Sequence, residues 1–123
     1  MEELIQFETA KLADEYGFNE GSYHLYTYPD GELKRFQALN YNTEQDGLQY
    51  EAPTQSVLQT WLRDVHKIHI IVAPTVTDYW TYGLCNVGNP NISLSGPIIY
   101  SGYDYVSYEE ALEAGLKEAL KLI

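Results

Sequence analysis

An apolar stripe at helical spacing in the middle of the chain constrains the fold more than any other pattern. Five residues form it at i, i+1, i+4, i+5 and i+8: Val57, Leu58, Trp61, Leu62 and Val65. Such a stripe must be buried against another element, so it predicts an amphipathic helix. Pro53 fits the first turn of this helix, and Arg63, His66 and Lys67 place positive charge in its last turn.

Strand patterns follow this helix. Residues 68–72 are a β-branched run that Ala73-Pro74 ends, and residues 79–87 alternate between two faces. Residues 92–94 and 97–100 predict a further strand with an interruption between its halves. The second half of the chain therefore carries several short strands.

The first half of the chain begins with a predicted helix over residues 5–16. Ile5, Thr9, Leu12 and Tyr16 share one face of it, and Gly17 stands where a left-handed C-terminal residue belongs. Residues 22–27 and 32–38 predict a hairpin around the turn Pro29-Asp30-Gly31. The polar residues 40–51 predict a surface loop.

The last predicted helix starts at a capping box, with Ser107 as the cap and Glu110 three residues on. One face of it carries Tyr108, Ala111, Leu112, Gly115, Leu116, Ala119 and Leu120. Glycine there costs about 1 kcal/mol against alanine, so Gly115 predicts the close approach of another backbone. That backbone belongs either to the chain's own sheet or to a second copy. We predict a homodimer that involves this helix or the preceding loop at Tyr103 and Tyr105.

The mixed order of helices and strands predicts an α+β fold. We expect three helices packed on one face of a mostly antiparallel sheet of about four to five strands. The chain has 123 residues, close to the commonest domain size, so we expect a single globular domain over residues 1–123.

Charge and cysteine content exclude several classes of protein. Eighteen acidic residues against seven basic ones give a formal charge of −11, which repels nucleic acid and anionic lipid. This charge either favours basic partners or only keeps the protein soluble. A single cysteine, an acidic N-terminus and the lack of a long apolar run predict a soluble, cytoplasmic protein without disulfides or a membrane span.

Candidate chemical groups are few. His66 and His69 are three residues apart with Asp64 nearby, and two histidines can hold zinc with a third ligand from elsewhere. The third histidine, His24, is remote in sequence. Cys85 with either of the first two histidines would make a thiol–imidazole pair. A helix cap and a small packed side chain are the simpler interpretations. We therefore expect no catalytic residue, no metal and no cofactor.

Tyrosine is the unusual residue type, with 12 copies that fall mostly in strands and loops. It gives large contact area at low entropic cost, although it is also a common strand residue. The loop 100–105 is hard to explain as sheet filling. The predicted interaction surface consists of Tyr100, Tyr103, Tyr105, Trp80 and Tyr82.

Three stretches carry a resemblance: residues 8–18 (ETAKLADEYGF), residues 52–66 (APTQSVLQTWLRDVH) running into 68–72 (IHIIV), and residues 108–120 (YEEALEAGLKEAL). In this order they resemble a group of small uncharacterised proteins carried by phages, prophages and mobile elements of anaerobic gut bacteria. The resemblance implies a bacterial or phage protein of the cytoplasm and brings no assigned activity.

Three functions are weighed on these grounds. The first is a non-enzymatic accessory protein that acts through protein–protein contacts. The second is an acidic decoy of a basic nucleic-acid-binding protein, which would show acids in rows at phosphate-like spacing. The third is a small enzyme using Cys85 or a histidine, which would need a deep pocket beside a perturbed carboxylate.

Overall fold

Helices and antiparallel strands alternate along the chain in the computed structural model of this protein. The structure describes residues 3–18, 24–27, 31–35, 49–75, 78–90 and 99–123. The elements are α1 (Phe7–Glu15), β1 (His24–Thr27), β2 (Glu32–Arg35), β3 (Gln49–Glu51), α2 (Gln55–Val65), β4 (Ile68–Pro74), β5 (Trp80–Asn86), β6 (Ile99–Tyr100) and α3 (Tyr108–Lys121). The protein is therefore a mixed α+β structure, as predicted.

The described strands form two antiparallel sheets rather than one sheet of four to five strands. Their orders are β2-β1-β3 and β4-β5-β6. The predicted hairpin is present, with Thr27 opposite Glu32. Strand β3 lies at the end of the region predicted as a loop, and it pairs with the second edge of β1. The predicted strand residues 36–38 and 92–94 lie outside the described residues.

Helix α1 begins at Phe7, two residues later than predicted, and ends as its sequence indicates. Gly17 has a φ of 95°, and the Phe18 amide donates to the Ala13 carbonyl at 2.9 Å. This arrangement is a Schellman motif, which satisfies carbonyls at the helix end. Ile5 precedes the helix and is nevertheless fully buried. The C-terminal signal was therefore more accurate than the N-terminal one.

Helix α2 starts after Thr54, whose hydroxyl accepts a hydrogen bond from the Val57 amide at 3.4 Å. Pro53 thus stands before the cap rather than in the first turn. Val57 and Val65 of the predicted stripe are 40% and 57% exposed, and Gln55 is buried in their place. The stripe is wider than the face that α2 presents to β4 and α3.

Strand β4 continues through Pro74, two residues beyond its predicted end. The Thr75 amide donates to the Tyr79 carbonyl, so the alternation of the ladder turns Pro74 away from β5. Its missing N–H therefore removes no ladder hydrogen bond. Proline is tolerated here because, among the described strands, β4 has no partner on the side that Pro74 faces.

Helix α3 lies at the centre of the fold, where it contacts β4, β5, α2 and α1. A Cβ atom at Gly115 would lie 2.8 Å from Ile70 Cγ2 and 3.2 Å from the Tyr82 ring. Of the two uses predicted for Gly115, the structure therefore shows close packing on the chain's own sheet. Helix α1 contacts α3 and β3, so the three helices do not share one sheet face.

A buried carboxylate joins the three helices. Glu113 on α3 is 5% exposed, and its Oε2 accepts hydrogen bonds from the Gln6 amide at 2.9 Å and from the Thr9 hydroxyl. Its Oε1 accepts a hydrogen bond from Gln55 Nε2 at 3.0 Å. These donors replace the hydrogen bonds to water that the carboxylate loses on burial. The sequence patterns do not predict this cluster, because its members lie far apart in the chain.

Candidate protein-interaction surface

The outer edge of β5 is covered by two short pieces of chain with an irregular segment between them. In β6, Tyr100 lies opposite Gly83, and the Ser101 amide donates to the Tyr82 carbonyl at 3.0 Å. Farther along, Tyr105 and Trp80 exchange two backbone hydrogen bonds of 2.7 and 2.8 Å. Three residues, 102–104, therefore lie opposite the single residue Thr81. This extra length is an enlarged bulge in the edge of the sheet.

Hydrogen bonds hold the bulge in one conformation. The Tyr103 amide donates to Ser101 Oγ at 3.1 Å, and Ser101 Oγ lies 2.9 Å from Thr81 Oγ1. Gly102 has a φ of 78°, which glycine adopts without the steric cost of a side chain. Tyr103 lies within this bulge, and 71% of this residue is exposed.

Large exposed side chains surround this bulge. We call the group the tyrosine surface, and it consists of Tyr79, Tyr100, Tyr103, Val106 and Tyr108. Their exposed fractions range from 40% for Tyr108 to 71% for Tyr103. The ring of Tyr108 packs edge-on against that of Trp80 at 5.5 Å, which anchors one end of the surface to β5.

The five predicted surface residues lie on β5 or on the segment that pairs with its outer edge, but they differ in exposure. Tyr100 and Tyr103 are exposed, whereas Trp80 and Tyr105 are half-buried. Tyr82 is only 7% exposed and packs into the core, so it does not form part of the surface. The reason is that Tyr82 points toward α3, where Gly115 leaves room for its ring.

The hydroxyls of Tyr82 and Tyr105 lie in a partly desolvated and negative environment. Burial raises the pKa of Tyr82 to about 12, with further contributions from Glu118, Tyr105 and Tyr103. Burial also raises the pKa of Tyr105, with smaller contributions from Tyr103 and Glu118. These phenols therefore stay neutral at physiological pH and are available as hydrogen-bond donors.

The chain that builds the tyrosine surface contains no basic side chain. Between Lys67 and Lys117 the sequence has no lysine or arginine. Exposed acids from that stretch occur beside the surface residues in sequence: Asp78, Asp104, Glu109 and Glu110. In the sequence, the aromatic residues of this surface are therefore bordered by acidic residues and not by basic ones. This charge pattern is a signal for the surface that the sequence alone contains.

Of the predicted metal and thiol candidates, the described residues place only His69 and Cys85 directly opposite each other. His66 caps α2 and packs on the Trp61 ring at 4.6 Å, where burial lowers its pKa. His69 lies opposite Cys85 across β4 and β5, but no hydrogen bond joins their side chains, and His69 Nδ1 is buried without a partner. The side chain of His24 lies outside the described residues. Within the described ranges, no three histidine, cysteine or acidic side chains gather closely enough for a metal ion.

A shallow groove along the outer face of α2 contains neither Cys85 nor a histidine. Its described lining residues are Ser56, Val57, Thr60, Trp61, Asp64 and Val65. Among the described helices, each is too short or too polar to traverse a lipid bilayer. Comparison with protein-family models, curated proteins and solved structures found no match.

Proposed function

We propose that this protein is a non-enzymatic accessory protein, of the phage or mobile-element kind, that binds a partner protein through the tyrosine surface. The observation that carries the proposal is the bulge that holds Tyr103 in an exposed position. Holding the backbone of an exposed aromatic residue in a defined position before binding lowers the entropic cost of association. Tyrosine is among the residues that dominate binding energy at protein interfaces.

The arrangement of charge favours this function over that of an acidic decoy. A decoy needs acids in rows at the spacing of phosphates. Here the acids near the surface, such as Asp104 and Glu109, flank exposed rings in the sequence rather than following one another along a strand. An aromatic centre with a charged border is typical of protein interfaces.

Capture with paired variants of the full chain tests the proposal. The disrupting variant is Tyr103→Ser with Val106→Ser, and the matched control is Val57→Ser with Val65→Ser, two exposed valines of α2. A partner from host lysate is identified, purified and titrated against all three proteins. We expect the control to bind like the wild type and the disrupting variant to bind at least ten-fold more weakly. Equal binding by the two variants would contradict the proposal.

Sedimentation of the wild type at low and physiological salt tests the other occupant, a second copy of the chain. A species of 14.1 kDa at both salt concentrations agrees with a separate partner. A dimer that the Tyr103→Ser, Val106→Ser variant abolishes would confirm the homodimer predicted from the sequence. It would assign the surface to self-association and overturn the proposal of a separate partner.

A further inference from the structure

We infer that the tyrosine surface recognises a basic segment of its partner, with an arginine side chain stacked on the ring of Tyr103. This inference rests on the proposed function and adds the chemistry of the partner. It follows from the combination of exposed rings and unbalanced negative charge at one edge of the sheet.

The exposed rings of the tyrosine surface are suited to binding a cation. The face of a tyrosine ring attracts a cation within about 6 Å, and arginine makes this contact more often than lysine. The chain already contains one such contact, because Lys11 Nζ lies 5.6 Å from the centroid of the Phe7 ring. Among the described residues, Tyr103 is the most exposed of the large apolar and aromatic side chains, with 71% of its surface accessible. This exposure makes its ring accessible to a guanidinium group.

The stretch of chain that carries the tyrosine surface is acidic. The absence of lysine and arginine between Lys67 and Lys117 leaves Asp78, Asp104 and the first turn of α3 without a neighbouring cation in the sequence. Glu118 is the nearest acid on the last turns of α3, and its salt bridge to Lys121 is exposed at 3.5 Å. Lys121 offsets the charge of Glu118, but among residues 68–116 the acids have no lysine or arginine. A cation from outside the chain meets no like charge on this stretch.

A titration followed by amide NMR shifts separates arginine recognition from general attraction to an acidic protein. The probe is the blocked peptide acetyl-Gly-Arg-Gly-Arg-Gly-amide, and its control replaces each arginine with citrulline, which keeps the shape and loses the charge. We expect the arginine peptide to shift amides of residues 79–82 and 100–108. The citrulline peptide should shift them at least several-fold less at the same concentration.

Two variants locate the contact. Tyr103→Ser should weaken binding of the arginine peptide about 2–5-fold, which corresponds to one exposed cation–π contact. Tyr16→Ser is the control, because Tyr16 is 37% exposed and follows Asp14 and Glu15 at the end of α1. It should leave binding unchanged.

The inference is overturned if both peptides shift the same amides equally, or if Tyr103→Ser and Tyr16→Ser have the same effect. It is also overturned if a partner captured through the tyrosine surface keeps its affinity in excess arginine peptide. That last result leaves the proposed function standing. Arginine binding at Tyr103 without any captured partner would support this site chemistry while contradicting the proposed function.

Discussion

Replacing Gly115 with alanine should destabilise the protein, although alanine is the better helix former. The new Cβ would lie 2.8 Å from Ile70 Cγ2 and 3.2 Å from the Tyr82 ring. Ile70 is β-branched and 1% exposed, so its methyl group cannot rotate away easily. Overpacking of this kind costs about 1–3 kcal/mol, and the gain in helix propensity returns about 1 kcal/mol. Because the contact is so short, we expect a net loss of about 1–2 kcal/mol.

Equilibrium unfolding in urea, followed by tryptophan fluorescence, measures this loss. With an m-value of about 2 kcal/mol/M, the midpoint should fall by about 0.5–1 M. The same substitution in an Ile70→Ala background lacks the shortest contact, and there its cost should shrink by about 1 kcal/mol or more. An unchanged or higher midpoint for Gly115→Ala alone would refute the packing argument. Equal costs in both backgrounds would show that Ile70 is not the obstacle.

Three further predictions use the same unfolding assay. Trp61 is 7% exposed and packs against Phe18 at 5.2 Å, so Trp61→Ala should cost about 3–5 kcal/mol; a loss under about 1 kcal/mol would mean that this ring contributes little to the core. Ser107 Oγ accepts the Glu110 amide at 3.1 Å, so Ser107→Ala should cost about 1 kcal/mol and Ser107→Asp should keep most of the stability. Because the pKa of Tyr82 is raised to about 12 in the folded state, stability is fully present below pH 10 and falls as the pH rises toward 12. Tyr82→Phe should reduce this alkaline loss, and an identical pH profile would contradict it.

Part of the interaction surface was predictable from the sequence and part was not. The loop 100–105 is recognisable in the sequence because three of its six residues are tyrosine. Nothing local distinguishes Tyr82 from Tyr103, yet one is 7% and the other 71% exposed. The difference arises because Tyr82 lies in a regular strand over Gly115, whereas Tyr103 lies in a bulge. The bulge depends on pairing with β5, so it has no signature in the loop alone.

Buried polar contacts show the same limit. In the sequence, Glu113 lies beside apolar residues of α3 and has no feature that distinguishes it from an ordinary solvent-facing acid. Its partners are Thr9 in α1, Gln6 just before α1, and Gln55 in α2. No pattern of period or spacing connects groups that are separated by more than fifty residues. The cluster exists only once the three helices are packed together.

The sequence by itself determined the features whose causes lie within a few residues. Examples are the left-handed Gly17, the Ser107 cap and the hairpin around Gly31, since each depends on backbone geometry and hydrogen bonds within one or two turns. Tertiary structure alone decided that residues 49–51 form β3, that the described strands divide into two sheets, and that Tyr103 is exposed in the bulge beside β5. These outcomes depend on contacts between distant segments, where a free sheet edge or a packed helix face overrides local preference.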